Sequence, residues 1–303
     1  MIDIIIVNWN SGDYLRKCVM SILAASSKQD LVSQIIIIDN ASKDDSLSRL
    51  PHSTLITLIK NQYNAGFAKA CNQGFLQSKA PYVLLLNPDA ELMENTLCDS
   101  LAFMAENNHV DIMGCQLLDE KGNITTSCAR FPAPFRFLTD ALGLSYLLPH
   151  LVKPALLMKD WNHKESRAVD QVMGAFMFMR RKVFEKIGYF DERFFVYYEE
   201  LDFSKRLKDV GGISYFNASI QARHQGMGTT ESVKAFRLFL NLNSRLKYAK
   251  KHFSFFGYLL VAFSVFPIEF ASRFVLLLFK GRFAEVKDLL KGYRFLLFGR
   301  KQD

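Results

Sequence analysis

Residues 82–91 read Tyr82-Val83-Leu84-Leu85-Leu86-Asn87-Pro88-Asp89-Ala90-Glu91. Five residues suited to a buried strand give way to an amide, a proline and a carboxylate. The same change recurs three times upstream: Ile4–Val7 runs into Asn8-Trp9-Asn10, Gln34–Asp39 closes on Asp39-Asn40-Ala41-Ser42, and Thr54–Lys60 is followed by Asn61 through Gly66. Helical patterns occupy Tyr14–Ala25, Asp44–Leu50 and Ala65–Gln77, and a fourth, Leu92–Asn107, follows the last of these strands. Near-continuous apolar strands separated by helices predict an α/β chain with a parallel sheet covered on both faces. In such sheets polar residues at the carboxyl ends of strands collect at the ligand crevice.

The chain has 303 residues, long enough for one large domain or two modest ones. Half of it is hydrophobic and 22% is charged, which excludes a disordered or collagen-like chain. Five scattered cysteines show no metal-ligand spacing, so a disulfide scaffold is not expected and a reducing compartment fits. The start, Met-Ile-Asp-Ile-Ile-Ile-Val, lacks a basic n-region and reads as a strand, not a signal peptide. Residues 120–170, broken by Phe131-Pro132-Ala133-Pro134 and by Pro149 and Pro154, are expected to form a mobile insertion near the site. A second ordered block is expected from Val169 to His224.

Asn87-Pro88-Asp89 sets a carboxylate and an amide just after a buried strand. Mg²⁺ takes oxygen ligands, commonly one or two carboxylates plus substrate phosphates, which makes Asp89 a natural ligand with Asn87 beside it. A plain turn capping the next helix would look similar, but three other polar strand ends favour the site. Asp39 suits a ribose or base. Asn61, Asn64 and Gly66 offer amides and a flexible residue at a helix N-terminus, a possible anion contact, and Asn72 further along is expected to point back at the site. No GxGxxG or GxxxxGK[ST] run occurs, which argues against a nicotinamide dinucleotide enzyme and a P-loop NTPase.

Phe194-Phe195-Val196-Tyr197-Tyr198-Glu199-Glu200-Leu201-Asp202-Phe203 packs three carboxylates into four residues among aromatics. Mutual repulsion and desolvation both raise a carboxylate pKa and suit a general base. An exposed acidic helix start is the competing interpretation. His224, next to Arg223, is a third metal ligand or a diphosphate contact in the functional reading.

In this order the motifs resemble glycosyltransferase family 2, and most nearly its bacterial rhamnosyltransferase-like branch, over about residues 1–230. The resemblance implies a GT-A fold, Rossmann-like and mostly parallel, an inverting mechanism and a divalent cation, Mg²⁺ or Mn²⁺, held through a DxD-type motif. It sets Asn87-Pro88-Asp89 at the DxD position, with Asp89 on the metal, Asp39 on the nucleotide, and Asn8 and Asn10 at the first strand end of the nucleotide pocket. Val172-Met173-Gly174-Ala175 resembles the acceptor-side segment, which assigns Gly174 and Ala175 there. The family usually shows Glu-Asp-x-Asp where this chain has Glu199-Glu200-Leu201-Asp202, so Glu200 stands at the base position, with Glu199 its alternative. The implied reaction is a single displacement in which Glu200 deprotonates an acceptor hydroxyl while the metal, with His224 or Arg223, offsets charge on the leaving diphosphate. The implied donor is dTDP-rhamnose or a UDP-sugar, and the acceptor a lipid-linked or growing surface glycan of the lipopolysaccharide, O-antigen or capsule type. A sugar nucleotidyltransferase and a non-catalytic glycan-binding protein are the rival readings.

The formal charge of +8 is uneven. Residues 231–303 carry 14 Lys/Arg against 5 Asp/Glu and 13 of the 27 Phe, whereas residues 1–230 carry 24 against 25. The expected division is a catalytic domain over 1–230 and a basic, aromatic helical region over 231–303. Within the latter, Phe253–Phe279 is apolar but interrupted by Pro267, Glu269 and Arg273. A spanning helix needs about 20 mainly apolar residues, so an interface-lying, monotopic arrangement on an anionic membrane is expected, at its cytoplasmic face. A buried hairpin or a homo-oligomer interface would use the same residues. Nucleic acid is not an expected partner, because the aromatics are not interleaved with the basic residues.

Overall fold

The computed structural model describes residues 1–26, 30–226 and 234–299. The chain runs β1 (Ile2–Asn8), α1 (Asp13–Ser26), β2 (Val32–Asp39), β3 (Ile56–Lys60), α2 (Phe67–Gln77), β4 (Tyr82–Leu86), β5 (Ala90–Leu92), α3 (Thr96–Glu106) and β6 (Ile112–Leu118). There follow β7 (Cys128–Ala129), α4 (Pro134–Ala141), α5 (Leu144–Leu147), β8 (Arg167–Val169), β9 (Gln171–Val172), β10 (Phe176–Arg180), α6 (Lys182–Ile187), α7 (Glu199–Asp209) and β11 (Ser214–His224). The last part is helical: α8 (Lys234–His252), α9 (Phe255–Phe263), α10 (Phe270–Phe279) and α11 (Phe283–Phe298).

The main sheet has the order β3-β2-β1-β4-β10-β6-β11-β5, with β8 added to β11. β3, β2, β1 and β4 are parallel, as their apolar runs predict. β10 enters antiparallel between β4 and β6 and makes the sheet mixed. Side chains of a strand alternate between faces, and both faces here are dry. Ile4, Ile6, Leu84 and Leu86 pack with Leu15 and Val19 of α1 and with Leu97 of α3. Ile5, Val7, Val83 and Leu85 pack with Cys71 and Phe75 of α2 and with Phe203 of α7.

Several local expectations change. Asp44–Leu50 forms turns, not a helix, because its side chains are used elsewhere: Asp44 Oδ2 accepts from Gly12 N–H at 2.7 Å and Ser46 Oγ from Asn8 at 2.9 Å. Leu92 ends a short strand instead of starting a helix, since Ala90–Leu92 pairs with β11. Residues 120–170 hold some regular structure and are anchored to the rest of the fold at several points. β8 pairs with β11, Arg130 is ion-paired to Asp160, and Phe137 and Ala155 join the helical core.

The C-terminal helices form a third layer. Tyr248, Val261, Val265 and Tyr293 share a core with Phe194, Tyr198 and Leu201. Pro267 does not break the apolar segment: α9 and α10 join through a π-helical stretch, Ser264–Glu269, into one helix of 25 residues, Phe255–Phe279. Its mean hydropathy of 1.8 and its length suffice to cross a membrane. Much of it faces outward, with Phe256 80% and Phe279 88% exposed. The expected boundary at 230/231 lies outside the described residues.

Candidate active site

A cleft of about 1160 Å³ opens at the carboxyl ends of β1 and β4 and continues along α8, α10 and α11. Trp9, Asn87, Asp89, Gly174, Glu200 and His224 line its sheet end. Backbone stitching explains why residues so distant in sequence meet. Asn87 N–H donates to the Ala175 carbonyl at 3.2 Å, which fastens the end of β4 to the approach to β10. β11 pairs with β5 so that His224 stands opposite Ala90, and Gln225 N–H donates to the Asp89 carbonyl at 3.1 Å. The result sets His224 Nε2 3.3 Å from Asp89 Oδ1 and 3.4 Å from Asn87 Nδ2.

One carboxylate and one imidazole facing a cleft fit a divalent cation that draws its other ligands from a bound diphosphate. Among the described residues no group of three or more His, Cys, Asp or Glu could hold a metal unaided.

Glu199 and Glu200 begin α7. Gly174 N–H donates to Glu200 Oε1 at 3.1 Å, and a Cβ at position 174 would run into that carboxylate. Burial pushes the Glu200 carboxyl up to about 7, against the pull of the Gly174 hydrogen bond. Burial, then the charge of Glu200, pushes Glu199 well above the usual carboxylate range. Its Oε2 is buried with no hydrogen-bond partner among the described residues. A helix N-terminus favours carboxylate charge, but desolvation prevails here. Glu200 is suited to taking up a proton near neutrality.

The turn before the pair was not legible in the sequence. Tyr197 and Tyr198 both adopt left-handed φ, +68° and +72°. Just upstream, Phe195 caps α2: its carbonyl accepts from Phe67 N–H at 2.6 Å, and a Cβ on Gly66, at φ +89°, would lie 2.6 Å from the same oxygen. The first N–H of α2 is thus engaged by Phe195. Trp9 and Asn40 also line the cleft; in the sequence only their place inside the strand-end motifs marks them.

The expected residues divide into groups. Asn64, Asn87, Asp89, Gly174, Ala175, Glu199, Glu200 and His224 meet in the cleft. Asn8, Asn10, Asp39 and Asn61 do not line it and are bonded within the protein. Asn8 Nδ2 donates to Asp39 Oδ1 at 2.8 Å, Ser42 N–H to Asp39 Oδ2 at 3.2 Å, Lys43 N–H to Asn10 Oδ1 at 2.7 Å, and Asn61 Nδ2 to Asn40 Oδ1 at 2.8 Å. Three assignments are corrected. Asn72 does not point at the site; it is buried, donating to the Phe190 carbonyl at 2.9 Å and accepting from Phe190 N–H at 3.0 Å. Asp202 does not line the cleft: fully buried, it receives Arg206 at 2.9 Å, Lys251 at 2.5 Å and His252 at 2.7 Å. Burial alone would raise its carboxyl, but hydrogen bonds from His252, Lys251 and Arg206 outweigh it and hold the group below its ordinary value. Arg223 is exposed and, one residue from His224 on a strand, projects to the other face.

The chain is similar to several known proteins. The family model for "Glycosyl transferase family 2" matches residues 3–188. A low-salt glycan biosynthesis hexosyltransferase, Agl10 of Haloferax volcanii, is 26% identical over 261 residues, 84% of this chain and 76% of its own. An N-acetylglucosaminyl-diphospho-decaprenol L-rhamnosyltransferase of Mycobacterium tuberculosis is 22% identical over 245 residues, 76% of this chain and 78% of its own. The solved mannosyltransferase PcManGT of Pyrobaculum calidifontis, in complex with GDP-Man and Mn²⁺, superposes with a TM-score of 0.58 over 99% of this chain and 88% of its own at 14% identity, a likeness of fold. With a mixed GT-A sheet whose polar strand ends open on one cleft, and with the family model spanning β1 to α6, the chain belongs to glycosyl transferase family 2.

Proposed function

We propose that this chain moves a sugar, rhamnose or a related hexose, from a nucleoside diphosphate to a hydroxyl of a lipid-linked glycan, with inversion at the anomeric carbon. The observation that carries the reading is Glu200, a carboxylate of raised pKa held by Gly174 N–H in the same cleft as Asp89 and His224. Glu200 in its ionised form takes the proton of the acceptor hydroxyl as that oxygen attacks, a role worth roughly 10²–10⁴-fold. Trp9 and Asn64 supply an aromatic face and an amide for the nucleotide. Asp89 and His224 would hold a divalent cation, which supplies charge stabilisation for the leaving diphosphate when bound.

The acceptor reading draws on the far end of the cleft, where Arg273, Leu276 and Leu277 of α10 and Arg282 bring cationic and apolar groups together. An anionic lipid-borne glycan offers both complements. It accords with the diphospho-decaprenol substrate in the name of the mycobacterial relative. In this reading the exposed face of Phe255–Phe279 lies in or on the cytoplasmic side of a membrane.

A thermal-shift screen of dTDP-rhamnose, UDP-sugars and GDP-mannose, with and without Mg²⁺ or Mn²⁺, tests the donor and the metal together. A ligand that binds the native state raises its apparent stability. One nucleotide sugar is expected to raise Tm in a metal-dependent way that Asp89→Asn abolishes, and NMR of the transferred sugar is expected to show the inverted anomer. No shift with any of them, or retention at the anomeric carbon, overturns the reading.

A further inference from the structure

We infer that Arg245 is a positioning residue for the Glu199/Glu200 pair: from α8 it holds the Tyr197-Tyr198 turn, and it takes its own position from Glu269 on the apolar helix. The inference rests on Glu200 being the base.

Two successive non-glycine residues in the left-handed region are costly and persist only where their surroundings over-determine them. Here one helix, α8, supplies restraint at two successive positions. Ser244 Oγ donates to the Val196 carbonyl at 2.8 Å, and Arg245 Nε donates to the Tyr198 hydroxyl at 3.2 Å. The Tyr198 ring is buried and lies 5.6 Å from that of Tyr248, centroid to centroid, on the same helix. Glu199 follows Tyr198 directly, so the turn sets where α7 begins and where both carboxylates stand.

Arg245 is itself fixed from the other side. Its Nη1 is paired with Glu269 Oε2, its Nη2 lies 3.5 Å from Asn241 Oδ1, and its guanidinium stacks over Phe137 at 5.1 Å. Arg273 donates to the second oxygen of Glu269 at 2.7 Å. Arg245 does not line the cleft, although Asn241, one turn earlier, does. It therefore acts through Tyr198 and not on substrate. A planar fork can serve Tyr198 and Glu269 at once, whereas a lysine offers one point charge on a flexible stem.

The experiment uses the full chain in detergent, as wild type, Arg245→Lys, Tyr198→Phe and the double variant. Tyr198→Phe deletes one hydroxyl and keeps the packed ring, so it guards against a misfolded Arg245→Lys. Hydrogen exchange is read across the chain, and kcat and donor KM with the nucleotide sugar selected by the thermal-shift screen. Exchange of 195–201 is expected to rise about tenfold while β1 and β4 keep their protection. A displaced base is expected to cost about 10²-fold in kcat at unchanged donor KM, with the double variant no worse than Arg245→Lys. Unchanged exchange at 195–201, a uniform rise over the whole chain, or full kcat despite a loosened turn would each overturn the inference. Should the wild type turn over no nucleotide sugar, the functional reading falls, and exchange at 195–201 still decides whether Arg245 holds the turn.

Discussion

The main-chain N–H of Gly174 donates to Glu200 Oε1 at 3.1 Å, and the position leaves no room for a side chain between them. A glycine here serves close approach rather than turn geometry, since Gly174 is absent from the positive-φ residues. Gly174→Ala is expected to push the Glu200 carboxylate off its donor. Reacting groups tolerate little displacement, and a loss of about 10²-fold in kcat is expected. Donor affinity, measured by titration calorimetry, should be kept. An alanine variant with wild-type kcat would show that the contact does not position the base.

The pH dependence separates the two glutamates. A base works ionised, so with the Glu200 carboxyl raised to about 7, kcat should fall as pH drops through 7, tenfold per unit below it, and level off above. Burial leads that shift, and the charge of Glu200 in turn raises Glu199, so the two titrate as an interacting pair and Glu199→Gln is expected to keep an acid limb whose midpoint does not rise. Glu200→Gln is expected to lose roughly 10²–10⁴-fold and to flatten the limb in whatever activity remains. A limb that vanishes in Glu199→Gln and survives in Glu200→Gln would exchange their roles.

How far these roles were legible in the sequence follows from the range of the interactions. The strands β1, β2 and β4 and their polar ends announce themselves, because a strand dry on both faces must be a nearly unbroken apolar run. The antiparallel insertion of β10 leaves no such mark, since Phe176–Arg180 reads like any buried strand. Glu200 and Asp202 look equivalent in the chain. What distinguishes them is fifty residues away, where Lys251 and His252 of α8 reach Asp202, and Gly174 reaches Glu200 from the opposite direction. Asn72 was misplaced for the same reason, its partner Phe190 lying 118 positions on. Asp44–Leu50 has a helical composition but spends its side chains on the neighbouring strand ends.

Asp202 thus becomes a statement about stability. Its carboxyl is held below the unfolded value, so its contribution is complete above the ordinary carboxylate range and is lost as pH falls through the lowered value. Asp202→Asn is expected to destabilise by about 3 kcal/mol at neutral pH, because it strands the cations of α7 and α8 around a fully buried site. The wild type should approach the variant's stability as pH falls through the acid range. Urea unfolding at pH 7 and pH 3 reads both effects, and kcat per folded molecule should be kept. A constant difference at the two pH values, or a large loss of kcat with intact stability, would return Asp202 to the catalytic group.

The outward face of the apolar helix makes the last prediction. Phe256 and Phe279 are at least four-fifths exposed, and Lys280, Arg282 and Lys287 follow them in the chain. Burying a phenylalanine ring contributes roughly 2 kcal/mol, and a basic residue near an anionic surface about 1 kcal/mol. Replacing both rings by serine is therefore expected to weaken binding to vesicles of anionic and neutral phospholipid by on the order of 10³-fold. High salt should weaken wild-type binding by less, since it screens only the ionic part. Co-sedimentation at low and high salt measures both. Because the two rings point away from the core shared by Val261, Val265 and Tyr293, folding should survive the change. Wild-type binding that disappears entirely in salt would make the attachment electrostatic. A double variant that instead halves the mass in solution, with vesicle binding unaltered, would make the same face a contact between copies of the chain.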